Sequence, residues 1–334
     1  MKLGDFRKLT ANLSDDTDIV VEYYDEEEEG SVAMPTELLR KIININPQMM
    51  HFLDDLSTPL YLDLTYNEII KFVYVLENKP SKRISDFNES DAAFAITNQD
   101  RIEAILGAIN RFLNKANLDQ YYDISWDIQN KHPTLPLMYI AYHLFYLNSK
   151  NNELRNYFEN NHEAFIHFKL WLYRALLLGK FNNQKKTASP INELLSVFAQ
   201  EPKSSLSFTL NELDSFDVQF VLFLVHDRDK HIHKDTIKPL MKPENFSKEA
   251  INNIRNLDSL YGNHLQIKDA LSFTEWLNFC KKHSFIYINE SLFPADNKLW
   301  DEDRFTEFCE ARGKLIIEKI NQIFSELATE SNSK

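Results

Sequence analysis

Apolar residues recur at i, i+3, i+4 and i+7 along most of the chain, a spacing that predicts a succession of amphipathic helices. Leu3, Phe6, Leu9 and Leu13 begin the pattern, and Ile19 to Tyr24 then read as a strand before an acidic run at 25–29, a solvated loop. Leu38, Leu39, Ile42 and Ile43 follow Pro35, which suits a first helical turn. Thr65 and Glu68 have capping-box spacing ahead of Ile69, Ile70, Phe72, Val73 and Leu76, and Pro80 ends that unit. Thr97 or Asn98 is placed to cap a helix lined by Ile102, Ile105, Leu106, Ile109, Phe112 and Leu113. Residues 137–147 and 165–178 predict two buried helices, the second closed by Gly179 in a left-handed cap. After a turn at 187–190 comes a helical stretch at 191–198, then a buried element at 216–225. A short helix carrying Trp276 and an extended stretch at 286–293 come next. Asp301 is then placed to cap a long terminal helix with Phe305, Phe308, Leu315, Ile316, Ile320 and Ile323 on its inner face.

Composition agrees with this pattern. The chain has 334 residues, with 6 glycines against 24 phenylalanines and 14 tyrosines, which favours packed helices over a turn-rich sandwich or barrel. Three units are expected: an α/β segment at 1–90, a helical domain at 91–205 and a further domain at 206–328 closed by the terminal helix. With 37 Lys and Arg against 50 Asp and Glu, the net charge is −13, so nucleic acid is accepted only at a local basic patch. Cys280 and Cys309 are too few for a disulfide framework and sit in apolar helical patterns, so they read as buried thiols in a reducing cytoplasm. No apolar h-region stands at the N-terminus and no run is long enough to span a bilayer, so no membrane role is expected. His143, His162 and His167 lie among aromatics and read as core or boundary residues.

Candidate chemistry concentrates between Lys230 and Asp269, where histidines, carboxylates, lysines and asparagines crowd between hydrophobic runs. If 231–235 is extended, His231, His233 and Asp235 share one face and offer two imidazoles and a carboxylate to a divalent metal, with His264 as a possible fourth ligand. A solvated mixed-charge loop is the favoured reading, because a His-x-His pair without a recognised third ligand is a weak signal. Arg228, Lys230, Lys234, Lys238 and Lys242 form a basic strip that Arg255 and Lys268 extend, with Asp227, Asp229 and Asp235 partly cancelling it. Such a strip suits weak or partner-assisted contact with DNA.

Trp171 to Phe181, His233 to Pro239, Asn256 to Asp269 with Glu275-Trp276-Leu277, and Phe305 to Arg312 are four segments that, in order over residues 120–325, resemble the GmrSD-type restriction and phage-defence family. In that family an N-terminal ParB/sulfiredoxin-like NTPase region is joined through helices to an HNH-like (His-Me finger) nuclease. Trp171 to Phe181 resembles the helix ending in Gly-x-Phe. His233-Lys234-Asp235-Thr236-Ile237-Lys238-Pro239 resembles the Asp-His-Ile-x-Pro motif. Asn256-Leu257 through Lys268-Asp269, with Glu275-Trp276-Leu277, resembles the Asn-Leu…Asn-x-x-Lys…Trp-Leu segment. Phe305 to Arg312 resembles the closing Phe-x-x-Phe-x-x-x-Arg helix.

The resemblance implies a mostly helical α+β fold in which a helical region is followed by a small HNH-like ββα element embedded among helices. Two positions depart from it. The family's general-base His is Thr236 here, whose hydroxyl has no accessible pKa near neutrality, and the metal-site Asn is Leu265, which offers no oxygen. Asp235 and Lys268 match, while the family's N-terminal Gln-Arg-x-Tyr and Asp-Gly-Gln-Gln-Arg stretches are missing. The expected function is a non-catalytic interaction or regulatory component of a bacterial defence system, working with a partner that carries NTPase or nuclease activity and needing no cofactor. Two alternatives stand beside it. One is an active metal-dependent DNA endonuclease with His233 and Asp235 as catalytic residues and a divalent metal on His231, His233 and Asp235. The other is a nucleic-acid-binding module using Lys230, Lys234, Lys238, Arg255 and Lys268.

Overall fold

A computed structural model describes residues 34–58, 62, 64–79, 82–118, 121, 134–179, 207–226, 232, 236–260, 268, 271–282 and 292–330. Among the described residues the protein is mostly helical, with one small two-stranded antiparallel sheet, consistent with the α+β class in its helix-rich form. The helical stretches expected before residue 34 and at 191–198, and the extended stretch at 286–293 up to its last two residues, lie outside the described residues. Among the described residues, no helix is long and apolar enough to cross a membrane.

Where the pattern predicts a helix among the described residues, the observed start lies within about one turn of it. Helix α1 spans Thr36–Ile45, α2 Gln48–Leu56 and α3 Tyr66–Leu76. Thr65 and Glu68 form the expected capping box: Thr65 Oγ1 accepts from the Glu68 amide, and the Glu68 carboxylate accepts from the Thr65 amide at 2.9 Å. Helices α4 (Glu89–Thr97) and α5 (Gln99–Ala116) abut at Asn98. Asn98 occupies the cap position of α5, but its side-chain amide donates back to the Phe94 carbonyl at 2.8 Å, closing α4 instead. Helix α6 (Thr134–Phe145) ends under Arg101, whose guanidinium donates to the carbonyls of Phe145, Leu147 and Ser149. Cationic donors at the last carbonyls satisfy groups that have no partner within the helix.

Helix α7 (His162–Leu177) ends at Gly179, which takes the left-handed conformation with φ 56°. Helix α8 (Val218–Val225) is the buried element at 216–225, and it starts beside the end of α7. The Asp217 amide donates to the Leu177 carbonyl at 2.8 Å, while the Asp217 carboxylate accepts from the Phe220 amide and caps α8. Strands β1 (Ile237–Pro239) and β2 (Leu257–Ser259) follow, then α9 (Phe273–Lys282) and the long α10 (Phe305–Glu330). Asp301 does not cap α10 directly. It accepts from the Asp303 amide and caps the 3-10 turn Glu302–Arg304 that leads into the helix.

Helix α10 belongs to two apolar cores. Phe305 and Phe308 pack with Trp276, Leu277 and Cys280 of α9 and with Leu240, Met241 and Leu260 at the strand ends. Further along, Ile316, Ile320, Ile323 and Phe324 enter a larger core that takes in Phe52, Ile70, Ile105, Leu137, Leu172 and Phe223. The inner row runs 305, 308, 312, 316, 320, 323, so Leu315 falls beside it and is only half-buried. Asn321 in this helix pins the returning chain, accepting from the Phe208 amide at 2.7 Å and donating to the Phe208 carbonyl at 2.9 Å.

Between the two cores α10 carries Gly313. A Cβ there would stand 2.9 Å from Leu210 Cδ1 and 3.3 Å from Arg255 Cδ, so the missing side chain is what lets these two pack on the helix. Glycine in a helix interior costs about 1 kcal/mol, so a larger residue gains propensity but overpacks the contact. Gly313→Val is expected to destabilise the protein by about 1–3 kcal/mol in urea unfolding, and an unchanged or raised midpoint would contradict this packing.

Candidate functional site

Strands β1 and β2 pair antiparallel with Ile237 opposite Ser259, Lys238 opposite Asp258 and Pro239 opposite Leu257. The pairing continues past both ends: Leu260 N–H donates to the Thr236 carbonyl at 2.8 Å, and Leu240 N–H donates to the Asn256 carbonyl at 2.7 Å. Two three-residue strands are too short to hold themselves together in water. Side chains supply the missing hold. Asn256 accepts from the Met241 amide at 3.0 Å and donates to the carbonyls of Met241 and Ile251 at 2.8 Å each, fastening the connection between the strands.

The centre of β2 is fastened differently. Asp258 lies within a strand whose three residues are all buried, and is itself fully buried. One carboxylate oxygen sits 2.7 Å from Nε2 of His226, the residue that ends α8, and also accepts from the Ser259 amide at 2.8 Å. The other accepts from Arg312 of α10 at 3.0 Å. Arg312 is fully buried as well, and it also donates to the carbonyls of Arg255 and Leu257 at 3.0 and 2.8 Å. One carboxylate thus joins β2, α8 and α10 where the two cores meet.

Burial alone would push the Asp258 carboxyl upward. The His226 and Arg312 charges, with the hydrogen bonds from His226 and the Ser259 amide, outweigh it and hold the group below the ordinary carboxylate range. None of the three side chains reaches solvent, so this cluster positions other groups and does not meet a substrate itself. By contrast, burial pushes the Cys280 and Cys309 thiols up to about 11, so both are protonated and unreactive at neutral pH.

The sequence-derived candidates divide into two groups. His231, His233, Asp235, Lys230, Lys234, His264 and Leu265 lie outside the described residues. Thr236, Lys238, Arg255 and Lys268 are described. Thr236 Oγ1 lies 2.7 Å from Ser259 Oγ across the strand pair, where the two hydroxyls share a hydrogen bond. Lys238 is half-buried on β1. Arg255 donates to the Asp214 carboxylate at 2.8 Å and to the Leu210 carbonyl at 3.2 Å. Lys268 is buried. Arg255 and Lys268 are therefore engaged within the protein, and of the described members of the basic strip Lys242 is the exposed one. Among the described residues, no three His, Cys, Asp or Glu side chains gather as metal ligands.

Asp258, His226 and Ser259 were not singled out by the sequence reading, and Arg312 entered only as the last residue of a motif. Two signals pointed to them. Arg312 falls on the apolar stripe of α10 between Phe308 and Ile316, and Asp258 stands beside Ser259 between Leu257 and Leu260. A charge at a core position requires a buried counter-charge.

The arrangement defines a helical protein carrying a two-stranded element locked to the helices by a buried ion network. Comparison of the chain with protein-family models, with curated proteins and with solved structures found no match.

The pH dependence follows from the lowered Asp258 value. Its contribution to stability is fully present above the unfolded-state carboxylate value of about 3.9 and is lost as pH falls through the lower folded value. Asp258→Asn leaves Arg312 buried without its counter-charge and is expected to cost about 3–5 kcal/mol at neutral pH. The gap between wild type and variant is expected to narrow below about pH 4 in urea titrations, and a gap independent of pH would contradict the assignment.

Proposed function

We propose that this protein is a non-catalytic interaction or regulatory component of a bacterial, restriction-like defence system, built on a nuclease-like scaffold and working with a partner that supplies the NTPase or nuclease chemistry. The observation that carries this reading is Thr236. It stands where the GmrSD-type family's Asp-His-Ile-x-Pro motif has its general base, and its hydroxyl is engaged with Ser259. An aliphatic hydroxyl cannot take a proton from water near neutrality. The surrounding frame supports the scaffold half of the reading. The segments that resemble the family's motifs meet in space: Ile237 to Pro239 pairs with Leu257 to Ser259, Asn256 fastens the connection, and Arg312 of the closing helix grips β2. A frame held this firmly, with a hydroxyl in place of the base, suits a surface that is presented to a partner. The net charge of −13 favours a protein partner over autonomous binding to DNA.

The test is a plasmid-nicking assay on the purified full chain with magnesium, manganese or nickel ions. No nicked circles above the buffer control are expected. Metal-dependent nicking that disappears in His233→Ala would overturn the reading in favour of an active endonuclease.

A further inference from the structure

Helix α10 has an apolar side that its core does not use. Leu315 sits beside the inner row and, with Ala311 one turn before it, lines a cleft of about 450 Å³ whose opposite wall is Pro294, Ala295 and Leu299. Leu299 and Leu315 are each half-buried among the described residues, so two leucines face a groove open to solvent. The rim is acidic: Asp296, Glu307 and Glu310 stand on it against Lys314. Lys314 is bound to Glu310 at 2.9 Å, and Arg304 of the preceding 3-10 turn lies 3.5 Å from Glu307, so two of the three carboxylates have a neighbouring cation. Asp296 caps the adjoining 3-10 turn by accepting from the Lys298 amide. Three carboxylates against two cations, Lys314 and the adjacent Arg304, leave one negative charge in excess at the rim, in a chain whose net charge is −13.

We propose that this cleft is the docking site for a short amphipathic segment of a protein partner, with an apolar side chain seated between Leu299 and Leu315 and lysines or arginines over Asp296, Glu307 and Glu310. The apolar floor supplies affinity and the acidic rim selects the sign of the partner's charge. The same surface repels a nucleic-acid backbone. The cleft lies on the outer side of the turns of α10 that grip the strand pair through Arg312, so an occupant rests on the same helix as the scaffold. This inference deepens the reading above, in which the protein acts through a partner. The nicking assay decides that reading separately.

The probe is a labelled helical peptide of lysine and leucine, compared with a glutamate and leucine peptide of the same pattern, and binding to the full chain is read by fluorescence anisotropy. The lysine peptide is expected to bind and the glutamate peptide not to bind. Leu315→Asp and the double change Glu307→Lys with Glu310→Lys are each expected to weaken the lysine peptide by about tenfold or more. Glu163→Lys, an exposed charge reversal on α7, is expected to leave binding within about twofold, which separates a built site from general attraction to an acidic protein. All four substituted positions are partly or fully exposed, and unchanged thermal unfolding of the three variants is the accompanying control. Absence of binding, equal binding of the two peptides, or equal weakening by Glu163→Lys would overturn the proposal.

Discussion

A fully buried carboxylate is costly to maintain. Taking Asp258 out of water costs several kcal/mol, and the protein recovers it only because His226 and Arg312 reach the two oxygens from different helices. This sets the placement of much around it. Helix α8 must end where His226 can reach β2, and α10 must turn Arg312 inward at a position its apolar periodicity would otherwise give to a leucine or isoleucine. Gly313, the next residue, has no side chain and lets Arg255 and Leu210 pack close over the helix. The two apolar cores are sewn together at this point, and among the described helices α10 is the one that runs through both.

The short strand pair makes sense in the same terms. Three residues per strand supply too few ladder bonds for independent stability, so the register is held by Asn256 on one side and by Asp258 on the other. The cross-strand bond between Thr236 and Ser259 then lies over a rigid floor. Such rigidity suits either a catalytic constellation or a recognition surface. Position 236 carries a hydroxyl, which cannot act as a general base near neutrality; under the function proposed above, the frame serves recognition of a protein partner.

Much of the helical frame was legible from the sequence, because helix periodicity and capping are local. The Thr65 and Glu68 box, the Gly179 cap and the buried 102–113 face follow from a few neighbouring residues each. The readings that failed were those in which one side chain had two possible jobs. Asn98 closes the helix behind it instead of opening the one ahead, and Asp301 caps a 3-10 turn before the long helix. Leu315 lies next to the core row because Arg312 and Ile316 fix which face of α10 turns inward. The ion network was the least legible feature. His226, Asp258 and Arg312 are far apart in sequence, and only the topology brings them together. Two of their positions still carried a trace: His226 directly follows the apolar run ending at Val225, and Arg312 falls on the apolar stripe of α10.

The central claim is that Asp258 and Arg312 stabilise the fold as a pair. A double-mutant cycle of Asp258→Asn and Arg312→Met, with unfolding free energies measured in urea at neutral pH, tests it directly. Each single change strands a buried partner, so the account expects a double variant much less damaged than the sum of the two, with a coupling of roughly 1–3 kcal/mol. Additive losses, within about 0.5 kcal/mol, would contradict it.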